Sequence, residues 1–357
     1  MIHALYFALL ATFWGGSFVA IKLAVGILPP FLAGTLRVLV SLGILTTLFR
    51  IQGRSLKVPR DLRLRVWIAG LFAQGIPFSL IFWGERSISP GLAGILNGTV
   101  PIWTFLLGAW LIPGQEPFSR RKLAGSVSAL AGVVLIFWRA LLADGPASEV
   151  LGTIAVIAMA VCYGIGTLMN RRILAGGMVD FHANVYQQAV ASVTYLAVCC
   201  LLFEHGTVPT APDATALLHA GLAVLYLGTC STALAFLMYF RLVREWGAVR
   251  AASVNYLLPA MSILISYLLT GDLPTGAQLT GASFILAGVL LIQLPLETQI
   301  RRALPAGPTG AQRARATGSP RRIRTSRLLA VWSRRSPSGR QAPGSPITMT
   351  VEAPNRK

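Results

Sequence analysis

LAGSVSALAGVVLI, residues 123–136, returns as LTGASFILAGVLLI at residues 279–292, with eight of fourteen positions identical. Two unrelated apolar helices share scattered Leu and Ala, whereas here a single frame, LxGxxxxLAGVxLI, is kept, and Gly125 falls on Gly281 and Gly132 on Gly288. The likeness extends backward from this segment. Asn97 and Pro101 have the same spacing as Asn255 and Pro259, and Trp14, Gly15 and Lys22 align with Tyr163, Gly164 and Arg171. The chain therefore reads as one unit written twice.

Each copy is a series of apolar runs long enough to cross a bilayer. The runs fall near residues 3–25, 31–49, 66–84, 91–112, 122–139, 150–170, 181–203, 215–239, 249–270 and 276–294, separated by Gly- and Pro-rich breaks. Of the 357 residues, 54% are hydrophobic and 12% charged. A soluble domain carries about 25% charged residues. The expected fold is therefore all-α and integral to the membrane, with ten transmembrane helices in two five-helix repeats, residues 1–140 and 148–295, followed by a basic tail, 296–357. An odd number of crossings per repeat turns the second upside down relative to the first. The first run lacks the basic leader and uniform apolar core of a cleaved signal peptide, so it is read as a retained helix.

Loop charge sets the orientation. Alternate loops hold 14 Lys and Arg against 2 in the others, counting Arg50 to Arg65, Arg120 to Lys122, Arg171 and Arg172, and Arg241 to Arg250 against Arg86 and Arg139. Basic residues flanking helices stay inside, which places both termini in the cytoplasm of a multi-pass inner-membrane protein. From Pro295 onward there are 13 Lys and Arg and 2 Asp and Glu, so most of the formal charge of +19 belongs to the tail. Rich in Arg, Pro, Ser and Gly, that tail is expected to be disordered, with attraction to anionic headgroups as the sharper reading. Nothing in it resembles an RNA-binding motif, and nucleic acid is not an expected partner. The four cysteines lie in apolar runs without metal-ligand spacing.

Polar groups inside a bilayer are costly and mark candidates. Trp14, Gln74, Asn97, Tyr163, Gln187, Gln188, Asn255 and Tyr256 lie near the midplane. Such side chains either orient a small solute or tie helices together. Asn97 and Asn255 stand out, each one turn before a proline, Pro101 or Pro259, that frees a carbonyl and permits a hinge. Lys22, Arg37, Glu85 and Arg86 are expected at the outer mouth, where the basic pair either holds an anionic group or, in the plainer reading, Lys22 snorkels to the headgroups and Arg37 forms a packing ion pair. No acidic residue is expected at mid-membrane. No Ser/His/Asp set, HExxH, phosphate-binding loop or dinucleotide loop occurs, so no enzyme, metal or cofactor is expected. Inverted repeats that exchange conformations open a central site to each face in turn, which makes transport the leading expectation. A scaffold or sensor acting through the basic tail is the alternative.

These features resemble the EamA-type branch of the drug/metabolite transporter superfamily over about residues 5–294. The matching segments are WGGSFVAIKLA at 14–24, GTLR at 34–37, residues 84–101 with the LAGVVLI helix, and residues 233–240 and 253–292. The resemblance implies a secondary or facilitative carrier of small organic metabolites, amino acids or related carboxylates among them, working by alternating access. It implies a cavity near Trp14, Gln74, Asn97, Tyr163 and Asn255 and makes Arg37 a family-like position. The Gly-Glu pair common after the family's fourth and ninth helices is replaced here by Gln115 with Glu116 and by Gly271 with Asp272. The expected partners are a small solute and the bilayer, with a homodimer as an option.

Overall fold

The computed structural model describes residues 2–111, 120–142, 147–204, 213–246 and 253–293, and among these every regular element is helical. The chain divides into two units, Met1–Leu294 and Pro295–Lys357. The second, and with it the tail reading, lies outside the described residues.

Helix α1 spans Ile2–Val25 and α2 spans Pro30–Ile51. Arg60–Gly70 (α3) runs through a π-helical stretch, Leu71–Gly75, into Ile76–Gly84 (α4). Pro90–Asn97 (α5) and Val100–Leu111 (α6) follow, then Arg120–Leu142 (α7), Ala147–Ala175 (α8) and Phe181–Phe203 (α9). A second π-helical stretch, Thr229–Leu234, joins Ala214–Gly228 (α10) to Ala235–Trp246 (α11). A 3₁₀ turn, Ser253–Tyr256, precedes Leu258–Thr270 (α12), and Gly276–Gln293 (α13) ends the described chain. Among the described residues, eight spans are long and apolar enough to cross a bilayer, with α12 and α13 as shorter apolar helices. The protein is a multi-pass membrane protein.

Two runs read as single helices are broken. Asn97 ends α5, and Pro101 stands in the first turn of α6, where its missing N–H costs nothing. Pro259 likewise opens α12 behind the 3₁₀ turn. Both prolines therefore start helices and do not kink helix interiors. The two breaks meet, since a Cβ on Gly98 would sit 3.0 Å from the Pro259 ring.

Small residues decide how closely the helices approach. Helices α7 and α13 pack through their glycines. A Cβ on Gly125 would lie 2.6 Å from the Gly288 carbonyl, and one on Gly132 2.5 Å from the Gly281 carbonyl. Gly94 of α5 faces Ser262 of α12 with no room for a methyl group, and a Cβ on Gly84 of α4 would lie 2.9 Å from the Gly152 carbonyl of α8. At the α2 N-terminus the free amides of Phe31 and Leu32 donate to the Glu204 carboxylate, at 2.7 and 2.8 Å, from the end of α9. The main core gathers around Phe18, Phe82, Ile95, Leu96, Met159 and Leu196.

Candidate functional site

The two π-helical stretches position the most polar interior groups. In the first, Pro77 has no N–H for the carbonyl four residues back, and the widened turn just before it accommodates that loss. In the second, four consecutive residues, Thr229, Cys230, Ser231 and Thr232, carry short polar side chains. Thr232 Oγ1 donates to the Leu227 carbonyl at 2.7 Å and Thr229 Oγ1 to that of Leu225 at 2.7 Å, competing with the helical ladder. Gly70 and Gly228, which precede the two stretches, each press on the backbone of a neighbouring helix. Gly70 meets Gln188 of α9 and Gly228 meets Arg37 and Val40 of α2.

Arg37 crosses to the second of these stretches. Its Nε donates to Thr232 Oγ1 at 3.1 Å, its Nη2 to Ser231 Oγ at 3.5 Å, and the guanidinium stacks 4.2 Å over the Phe78 ring. It is 7% exposed. Among the described residues no carboxylate forms an ion pair with it, and two of its five N–H donors have partners. Glu85 is the acidic group that acts on its charge. Arg37 is thus an interior cation between hydroxyls and an aromatic face, and the packing ion pair expected for it is not formed among the described residues.

The amides divide into two sets. Gln187 accepts from Trp67 Nε1 at 3.1 Å and donates to the Leu56 carbonyl at 3.2 Å. Asn170 accepts from Gln188 and from Asn184, the latter at 2.9 Å. These groups tie α8 and α9 together and hold both to the α3 region. In contrast, Gln74, Asn97 and Asn255 make no side-chain hydrogen bond among the described residues, and neither does the Tyr163 hydroxyl. Gln74 is nevertheless buried within the first π-helical stretch. Interior polar groups ordinarily find partners, so these open valences set the second group apart from structural ties.

The remaining expected residues are placed as follows. Trp14 packs on Tyr239, with ring centroids 5.6 Å apart, in a cluster with Leu10, Ala11, Leu242 and Val254. Tyr256 ends the 3₁₀ turn, and its side chain lies outside the described ones. Among the described residues no hydrogen bond joins Gln74, Asn97 and Asn255 to one another. Lys22 neither snorkels nor pairs with an acid. Its Nζ donates to the carbonyls of Glu85, Ile88 and Arg86 at 2.7, 2.9 and 3.3 Å, closing the end of α4. Glu85 is not at an open mouth but fully enclosed. Sequence reasoning missed Ser231 and Thr232. The signal for them was a run of hydroxyls in an apolar helix, at the spacing that also separates Asn97 from Asn255 and here separates Gln74 from Thr232.

The described residues form a helical, multi-pass membrane protein with polar side chains drawn into its interior. The chain belongs to the EamA-like transporter family, whose model matches residues 1–138 and 150–294. It is 27% identical over 285 residues to a probable amino-acid metabolite efflux pump of Salmonella typhimurium, covering 79% of this chain and 92% of that one. It is 26% identical over 221 residues to a probable terminal-alkyne amino-acid exporter of Streptantibioticus cattleyicolor, covering 60% of this chain and 67% of the relative. A solved crystal structure has the same fold at a TM-score of 0.57 and 24% identity, covering 85% of this chain and 99% of that one.

Proposed function

We propose that the protein is a secondary or facilitative carrier of small organic metabolites bearing a carboxylate, amino acids foremost, working by alternating access across ten helices in two inverted repeats. The observation that carries the substrate class is Arg37. A buried guanidinium without an ionic partner is unfavourable, and its planar fork suits a carboxylate held by two N–H donors. The open amides of Gln74, Asn97 and Asn255 supply donors and acceptors for the rest of a polar solute. The names of the two relatives point to the same solute class.

The inverted repeat is supported by packing and by sequence. A two-fold axis that exchanges Gly125 with Gly281 and Gly132 with Gly288 must turn the Gly125–Gly288 contact into a Gly281–Gly132 contact, and both contacts are present. The two π-helical stretches fall at corresponding places, and the family model matches two successive segments. With Lys and Arg retained inside, both termini are cytoplasmic.

Counterflow in proteoliposomes, with a panel of amino acids, sugars and amphiphilic amines, tests this reading. Amino acids are expected to exchange, and Asn97→Ala and Asn255→Ala are expected to slow exchange about tenfold, the cost of roughly one hydrogen bond to a charged or polar solute, while keeping folded yield. No exchange of any solute by the wild type sinks the carrier reading, and unchanged exchange in both variants removes these residues from the solute's path.

A further inference from the structure

Glu85 follows directly on the span that ends at Gly84, and it is fully enclosed. Both of its carboxyl oxygens lack a hydrogen-bond partner. The nearby ammonium of Lys22 spends its three donors on backbone carbonyls, one of them that of Glu85 itself. An ionised carboxylate in such a place has neither water nor donor to hold its charge, so enclosure favours the neutral acid. Its position at the C-terminal end of α4, where helix carbonyls point outward, weighs the same way. Nothing larger than a proton fits against oxygens without accessible surface.

The surroundings of this carboxyl are set to change its preference when water arrives. Lys22 on α1 and Arg37 on α2 are the charged groups that act on it. The face of α8 against Gly84 contributes Gly152, Ala155 and Val156, and the neighbouring π-helical stretch contributes no charge. Asp272 acts on Lys22, and Tyr163 and Tyr226, neutral phenols at ordinary pH, are the other titratable groups around Arg37. The charges of these two cations favour the carboxylate once hydration removes the penalty of enclosure. Separation of the α1 and α4 ends, held together now by Lys22 on three carbonyls, admits that water.

From this arrangement we infer that Glu85 is a proton-binding site, loaded when the α1–α4 contact is closed and emptied when it opens. Resting on the carrier reading, it is the place where a proton gradient does work on transport.

Infrared titration of the purified full-length protein, in H₂O and D₂O, reads the carboxyl directly. The expected result is a protonated-carboxyl C=O band that persists at neutral pH, shifts on deuteration and is absent from Glu85→Gln, the isostere of the neutral acid. Arg37→Met, which removes a cation that favours the carboxylate and leaves the Lys22 bridge between α1 and α4 in place, is expected to hold the band to higher pH, and this variant carries the test where Glu85→Gln does not fold. A wild type with no band at neutral pH, a band retained in Glu85→Gln, or a titration unmoved or lowered in Arg37→Met overturns the proton site. A wild type that shows the band but exchanges no amino acid sinks the carrier reading and leaves the proton site standing.

Discussion

Arg37 separates a binding role from a structural one. A buried charge with no ionic partner costs free energy that an apolar side chain of similar volume does not, and Phe78 already offers an apolar face at 4.2 Å. Arg37→Met is therefore expected to keep or raise the thermal unfolding midpoint in detergent while slowing amino-acid counterflow at least tenfold, about 1.4 kcal/mol or more of lost solute interaction. A lowered midpoint together with lowered flux assigns Arg37 to packing instead. What the sequence revealed about Arg37 was its unusual place in an apolar helix. What it hid was the partner, because Ser231 and Thr232 lie in the other half of the chain and only the packing of α2 on the second π-helical stretch joins them. Glu85 was hidden for the same reason. Its residue type and place at a helix end suggest exposure, and enclosure comes from Lys22 and from the close α4–α8 contact at Gly84.

Helices were largely legible as elements because a long apolar run admits one structure in lipid. Their interruptions were less so. Proline in an apolar run signals either a kink or a fresh start, and the difference at Pro101 and Pro259 depends on neighbouring segments that cover the exposed carbonyls. The π-helical stretches left almost no periodic trace, since one extra residue per turn over five or six residues barely shifts the apolar pattern. The α7–α13 pairing, in contrast, follows from the glycines that carried the repeat. Gly132→Ala is expected to destabilise the protein by about 1–3 kcal/mol, because the added methyl group meets a carbonyl and side chains that have to give way. Gly43→Ala on α2, with nothing within 4 Å of the new methyl, is expected to change stability by less than about 1 kcal/mol, in the stabilising direction. Thermal unfolding of both variants in one detergent checks the pair, and equal midpoints refute the close approach of α7 and α13.

For the whole molecule, the decisive question is whether the second five helices enter the membrane inverted. Ser55 lies between the second and third crossings of the first half, and Asp213 holds the corresponding place in the second, at the spacing that also relates Asn97 to Asn255. Both are exposed and both precede helices, α3 and α10. In a direct repeat they share one side of the membrane; in an inverted repeat they lie on opposite sides. The four native cysteines are unpaired thiols, so a cysteine-free background disturbs no disulfide among them. In that background, Asp213→Cys is expected to react with a membrane-impermeant maleimide added to intact cells, and Ser55→Cys only after permeabilisation, because Arg54, Lys57 and Arg60 hold its loop inside. Labelling of both from the same side removes the inverted repeat and, with it, the exchange of the two halves on which alternating access depends. Labelling from opposite sides with the order reversed keeps the repeat and instead places both termini outside.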